Sequence, residues 1–218
     1  MHCPVRRERP PRMRDTTVVH LVRHGEVHNP EHVLYGRLPG FRLSALGEQM
    51  AEQAAAALAG RDIRVARSSP LERAVQTMQP IAAALGLEPT TDERLIESAN
   101  VFEGTREAWR KAANWRHLWN PLRPSWGEPY VEVAARVLAS AADARDEARG
   151  AEAVLVSHQL PIWVARLAAE HRRLWHRPDR RECALGSITS LVYDGDAIVR
   201  VEYAEPAGAV GRRTIGGA

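Results

Sequence analysis

Cysteine is almost missing from these 218 residues: Cys3 and Cys183 are the only two, and neither belongs to a Cys-x-x-Cys pair. A disulfide framework and a thiolate zinc site are thereby excluded. Lysine is scarcer still, with Lys111 alone, so arginine carries nearly all the positive charge. No window approaches the roughly 20 apolar residues that span a bilayer. The arginines near the N-terminus have no apolar stretch behind them, so no secretory leader is expected either, and the chain is expected in the cytoplasm without a membrane partner. No internal repeat is visible. The net charge of +3 and sequence pI of 9.2 suit small anionic substrates. An arginine excess of this kind also follows from genomic base composition, so it is not read as nucleic-acid binding.

What is present is an ordinary globular composition, 44% hydrophobic and 26% charged, in a length that suits one α/β domain. Residues 1–16 carry Arg6, Arg7, Arg9, Arg12 and Arg14 among prolines, without periodicity, and read as a disordered basic tail. The domain is expected over residues 17–205 and a flexible glycine-rich tail over 206–218.

The organising stretch is Leu21-Val22-Arg23-His24-Gly25-Glu26. Val18, Val19, Leu21 and Val22 have the look of a buried strand, and Gly25 allows a sharp departure of the backbone after it. An α/β sheet places its chemistry at the carboxyl ends of its strands, so Arg23 and His24 would project into a crevice. A guanidinium pairs two phosphate oxygens at once, and neutral imidazole accepts a phosphoryl group. His20, His24, His28 and His32 recur every four residues, which on a helix would suggest a metal site. The strand, Gly25 and Pro30 forbid that helix, so no metal is expected.

Downstream, Ser44 is expected to cap a helix running to about Leu58. Arg64 to Ser69 reads as a second strand, followed by a helix capped by Ser69 with Pro70 in its first turn. Leu71, Ala74, Val75, Met78, Ile81 and Ala82 form its core-facing stripe. Residues 105–126 hold Trp109, Trp115, Trp119 and Trp126 among several cations; a surface that binds a flat or apolar group and a small buried subdomain both fit this composition. Glu128 to Arg149 reads as an alanine-rich amphipathic helix stopped by Gly150. Ala153 to Val156 is a buried strand ending at Ser157-His158, and Gln159 opens a helix whose amino end would face an anion. Ile188–Tyr193 and Ile198–Tyr203 flank Asp194-Gly195-Asp196, a hairpin signal.

Arg23-His24-Gly25-Glu26, Ser68-Ser69-Pro70-Leu71-Glu72-Arg73-Ala74-Val75-Gln76-Thr77, Glu93-Arg94-Leu95-Ile96-Glu97 and His158 together resemble the histidine phosphatase superfamily, over most of residues 17–204. The resemblance implies a three-layer α/β sandwich with a mostly parallel central sheet, helices on both faces, and a small helical cap inserted at about 98–127. It implies His24 as nucleophile, Glu97 as general acid, and His158 and Arg73 as phosphate-binding partners of Arg23. Backbone amides near Gly36 would cover the phosphate, with Arg37 as an additional contact, and Asn29 and Gln159 are further candidate contacts. After Glu97 the family pattern places a glycine that this chain lacks, although Phe102-Glu103-Gly104 is kept.

The implied reaction is hydrolysis of a small phosphate ester through a phosphohistidine, without cofactor or metal. A mutase could use the same residues. Family mutases usually carry Ser or Thr three residues after the histidine and Asn three further on; Val27 and Pro30 stand there, with Asn29 one position early, which favours a phosphatase. A non-catalytic phospho-ligand-binding protein on this fold is the reading from another class. Nucleic-acid binding through the basic tail would need a base-reading motif that the sequence does not offer. Whether the chain is a monomer or a homodimer is open.

Overall fold

The strand reading of the organising stretch holds in the computed structural model, which describes residues 16–106 and 127–208. Six strands form one sheet: β1 (Thr16–Arg23), β2 (Ile63–Ser68), β3 (Thr90–Thr91), β4 (Glu152–Ser157), β5 (Ile188–Asp194) and β6 (Ala197–Ala204). Their spatial order is β3-β2-β4-β1-β5-β6. The first four strands in sequence run parallel, whereas β5 and β6 form an antiparallel hairpin beside β1. Among the described residues four α-helices cover the faces: α1 (Ala45–Leu58), α2 (Glu72–Leu85), α3 (Tyr130–Glu147) and α4 (Gln159–Ala169).

Strand alternation divides the core between the two faces. Val19, Leu21 and Leu155 pack with Val137, Ala141 and Ile162 from α3 and α4. Val22, Val154 and Val156 pack with Ala54, Leu58, Met78 and Ile81 from α1 and α2. Each such Val, Leu or Ile, fully removed from water, contributes roughly 1.5–3 kcal/mol. The architecture is therefore helix, sheet, helix, with β1 and β4 paired at the centre and ending side by side at Arg23 and Ser157.

Ser44 is the N-cap of α1, accepting from the Gly47 N–H. The start of α2 differs from expectation. The helix begins at Glu72, with Leu71 at the cap position and no side-chain cap bond. The Ser69 hydroxyl is engaged by His158 at 2.7 Å, so Ser69 and Pro70 lie ahead of the helix as part of the site wall. The start of α3 shifts from Glu128 to Tyr130, because Pro129 holds extended backbone at its cap position. Thr16 is the exposed first residue of β1, and Ala207 is buried. Residues 107–126 of the expected cap, with its four tryptophans, the rest of the basic tail and residues 209–218 lie outside the described residues.

The four-residue histidine repeat disperses. His20 is buried in β1 between Ser190 and Glu152, His24 ends at the site, and His32 adopts a positive φ of 52° in a loop. Among the described residues no group of three His, Cys, Asp or Glu is arranged to hold a metal ion. No helix among them is long and apolar enough to cross a membrane.

Candidate active site

His24 is the first residue beyond β1, and β4 on one side and the turn before β5 on the other hold its backbone. Its N–H donates to the Ser157 carbonyl at 3.1 Å, and its own carbonyl accepts from the Gly186 N–H at 3.4 Å. Gly25 then turns the chain against α1. A Cβ on Gly25 would lie 2.3 Å from the Gly47 carbonyl oxygen, and one on Gly47 would lie 2.0 Å from the Glu26 carbonyl oxygen. Two facing glycines therefore let the backbones meet. The Gly25 N–H donates to Thr77 Oγ1 at 3.1 Å, and Thr77 donates to the Arg73 carbonyl at 2.8 Å, tying this turn to α2.

The imidazole of His24 is 2% exposed. Its Nδ1 lies 2.7 Å from the Gly25 carbonyl oxygen. A carbonyl can only accept, so Nδ1 carries the proton and Nε2 keeps the lone pair. Burial, and after it the Arg73 and Arg23 guanidiniums, hold this imidazole well below its ordinary pKa. It is thus neutral and nucleophilic at physiological pH.

His158 sits at the cap position of α4, just past β4, with its ring centroid 5.1 Å from that of His24. Its Nε2 meets Ser69 Oγ, and its buried Nδ1 has no hydrogen-bond partner among the described residues. Burial dominates the lowering of its pKa, reinforced by Arg73.

Arg23 and Arg73 are fixed by neutral groups. Arg23 donates to the Cys183 carbonyl at 2.7 Å; Arg73 donates to the Gly36 carbonyl at 2.6 Å and lies 4.8 Å over the Tyr35 ring. Each has a buried Nε without a partner among the described residues. Two buried cations with unused donors beside a neutral imidazole make a seat for an oxyanion.

Glu97 follows the short turn after β3 and faces the same cavity of about 370 Å³ as Arg23 and His24. The Ser98 N–H donates to its Oε1 at 2.8 Å. Burial raises its carboxyl pKa in spite of that bond and of the Arg73, Arg181 and Arg23 charges. A carboxyl kept protonated above its usual range can donate a proton.

Of the residues read from the sequence, Arg23, His24, Gly36, Glu97 and Gln159 line this cavity, and Arg73 and His158 stand directly behind His24 and Gly36. Three of the candidates also have partners of their own within the protein. Asn29 uses its amide within its own loop, donating to the Val33 carbonyl at 2.9 Å and accepting from the Val33 N–H at 3.2 Å. Arg37 braces Glu97, donating to its carbonyl at 2.6 Å and pairing with Glu128 at 2.9 Å. Gly36 presents its carbonyl to Arg73, with a φ of 40° that favours glycine. Sequence reasoning missed Tyr35, Glu128, Tyr130 and Arg181, all on the cavity wall. Arg181 was hidden in a polar, arginine-rich connection where no motif distinguishes it from its neighbours.

A profile of the histidine phosphatase superfamily (branch 1) matches residues 19–206. The uncharacterized protein Rv0525 of Mycobacterium tuberculosis is 56% identical over 200 residues, covering 89% of this chain and 99% of its own. A probable phosphoglycerate mutase, GpmB of Escherichia coli O1:K1 / APEC, is 35% identical over 156 residues, covering 66% and 70%. Among solved structures, the mycobacterial glucosyl-3-phosphoglycerate phosphatase Rv2419c superposes with a TM-score of 0.67 at 25% identity, over 87% of this chain and 96% of its own.

Proposed function

The chain belongs to the histidine phosphatase superfamily (branch 1), and on that premise we propose that it is a phosphomonoesterase working through a phosphohistidine. The observation that carries this reading is a buried imidazole with its Nδ1 proton committed to a carbonyl, flanked by two arginines that have no carboxylate partner among the described residues. In the first step His24 Nε2 attacks phosphorus, the bond to the ester oxygen breaks, and Glu97 gives its proton to the departing alkoxide. The Gly25 carbonyl steadies the positive charge that develops on the ring. In the second step Glu97 takes a proton from water as it attacks the phosphohistidine, releasing phosphate and restoring His24.

The transition state spreads negative charge over three equatorial oxygens. Arg23, Arg73 and His158 meet that charge, so turnover is expected to proceed without a divalent ion. The expected compartment is the cytoplasm and the substrate class a small phosphorylated metabolite. The similarity to a probable mutase keeps transfer to a second hydroxyl as the alternative fate of the phosphohistidine.

The test is rapid alkaline quenching after mixing with a labelled phosphate ester. Label is expected on His24 and absent from His24→Ala; no label in the native protein would remove the covalent reading. Recovery of label as inorganic phosphate distinguishes hydrolysis from transfer to an added alcohol. Glu97→Gln should slow turnover most for esters with poor leaving groups; equal slowing across leaving groups of different pKa would take the acid role from Glu97.

A further inference from the structure

Glu97 stands outside any helix or strand, two residues past a single 3-10 turn (Glu93–Leu95). Backbone of this kind has no ladder of its own, so the aim of its side chains depends on what holds the carbonyls around them. Three carbonyls of this segment lead to one residue, Glu128. Arg136, from α3, donates its Nη1 to the Arg94 carbonyl at 2.6 Å. Arg37, from the loop after β1, donates its Nε to the Glu97 carbonyl at 2.6 Å. The Glu128 N–H donates to the Ala99 carbonyl at 3.2 Å. The Leu95 carbonyl is held separately, by Ser157 Oγ at 2.6 Å.

The Glu128 carboxylate gathers both arginines. Arg136 meets it as a fork, Nε to Oε1 at 2.8 Å and Nη2 to Oε2 at 3.0 Å, and Arg37 Nη2 reaches Oε2 at 2.9 Å. Each guanidinium therefore spends part of its planar edge on Glu128 and another N–H on the acid segment. The carboxylate is 17% exposed, so this pairing is well shielded from water. A neutral amide could not replace it, because its NH₂ group would face a guanidinium donor to donor. Glu97 and Glu128 share the cavity wall, but their oxygens are used differently. Both oxygens of Glu128 receive guanidinium N–H groups, whereas Glu97 receives one backbone N–H on Oε1.

We propose that Glu128 is a positioning residue for the general acid. Through Arg37, Arg136 and its own N–H it fixes the backbone on both sides of Glu97, and with it the reach of the carboxyl toward the leaving oxygen. This rests on the phosphomonoesterase reading and adds a residue to it. A proton donor must come within hydrogen-bond reach of the atom it serves. A misplacement of about 1 Å costs on the order of a hundredfold in rate.

The test compares the native protein, Glu97→Gln, Glu128→Gln and the double variant on two esters. An alkyl phosphate needs a proton for its alkoxide to leave; a nitrophenyl phosphate does not. Glu128→Gln should lower kcat for the alkyl ester by about tenfold to a hundredfold, with KM little changed and the nitrophenyl ester near its native rate. In the Glu97→Gln background it should cost nothing further, because no acid is left to aim. Glu128→Asp, which keeps the charge on a shorter stem, should recover part of the loss. Should Glu128→Gln fail to fold, Arg37→Gln removes the N–H to the Glu97 carbonyl from a more exposed position and carries the same comparison. Equal slowing of both esters by Glu128→Gln, or losses that multiply in the double variant, would overturn the proposal, since Glu128 would then support the pocket as a whole. A steep response to Glu97→Gln beside a flat one to Glu128→Gln would remove the positioning role and leave the acid. No phosphate released from either ester by the native protein would overturn the phosphomonoesterase reading and the positioning role together.

Discussion

Replacing Arg73 by glutamine separates what this residue does for the fold from what it does for the chemistry. The side chain is 1% exposed, and its contacts are one carbonyl at 2.6 Å and one aromatic ring at 4.8 Å. A hydrogen bond from a charged group is worth about 1.5–3 kcal/mol, and a desolvated cation–π contact about 2 kcal/mol. Against them stands the burial of a guanidinium without a carboxylate, which costs several kcal/mol. The two nearly cancel, so Arg73→Gln should leave the unfolding temperature unchanged or slightly raised.

Turnover should respond very differently. One preorganised donor aimed at developing charge is worth roughly 3–4 kcal/mol, which lowers kcat by about a hundredfold to a thousandfold. The Arg73 charge also lowers the pKa of both His24 and Glu97, so its removal raises both and moves the whole pH–rate profile to higher pH. The assay is kcat on an aryl phosphate across pH, alongside thermal unfolding. A loss of less than about tenfold, or a stability loss large enough to unfold the variant at assay temperature, would refute the reasoning.

Two further outcomes follow from the same geometry. The first step needs His24 deprotonated and Glu97 protonated; burial pushes the former below its ordinary 6.5 and the latter above its ordinary 4.5. The acid limb of kcat/KM should therefore lie below pH 6.5 and the alkaline limb above pH 4.5; an acid limb at or above pH 6.5 contradicts the buried, guanidinium-flanked imidazole. Gly25→Ala would place a methyl group 2.3 Å from the Gly47 carbonyl oxygen, forcing two backbones apart at about 1–3 kcal/mol. It should lower the unfolding temperature by several degrees and reduce kcat together; native values for both would show that the turn gives way without moving His24.

Much of this was legible in one dimension. Val18 to Val22 declared a buried strand by composition alone, and Ser44 declared the start of α1 because its hydroxyl suits an orphan N–H. Asp194-Gly195-Asp196 marked the hairpin because glycine tolerates the left-handed turn found there, with φ of 61° at Gly195. Such signals are local: a periodicity, a cap and a turn depend on neighbours along the chain. The start of α2 misled because Ser69 has two possible uses. Capping is the local one; in the fold the hydroxyl meets His158, 89 positions away, at 2.7 Å and takes the Leu71 N–H only at 3.4 Å.

The sequence by itself determined the buried strands, their ends and the Arg23-His24 pair, since each follows from short-range sterics and from where apolar side chains must hide, whereas the layers came through the family resemblance. Only the folded chain decided which of many arginines face the cavity without a counterion. Arg37 and Arg181 look alike in sequence, yet one is neutralised by Glu128 and the other is held by a neutral histidine and a glutamine. Whether a cation is free depends on which carboxylate the fold brings within ion-pairing reach, and that is set by packing between segments remote in sequence.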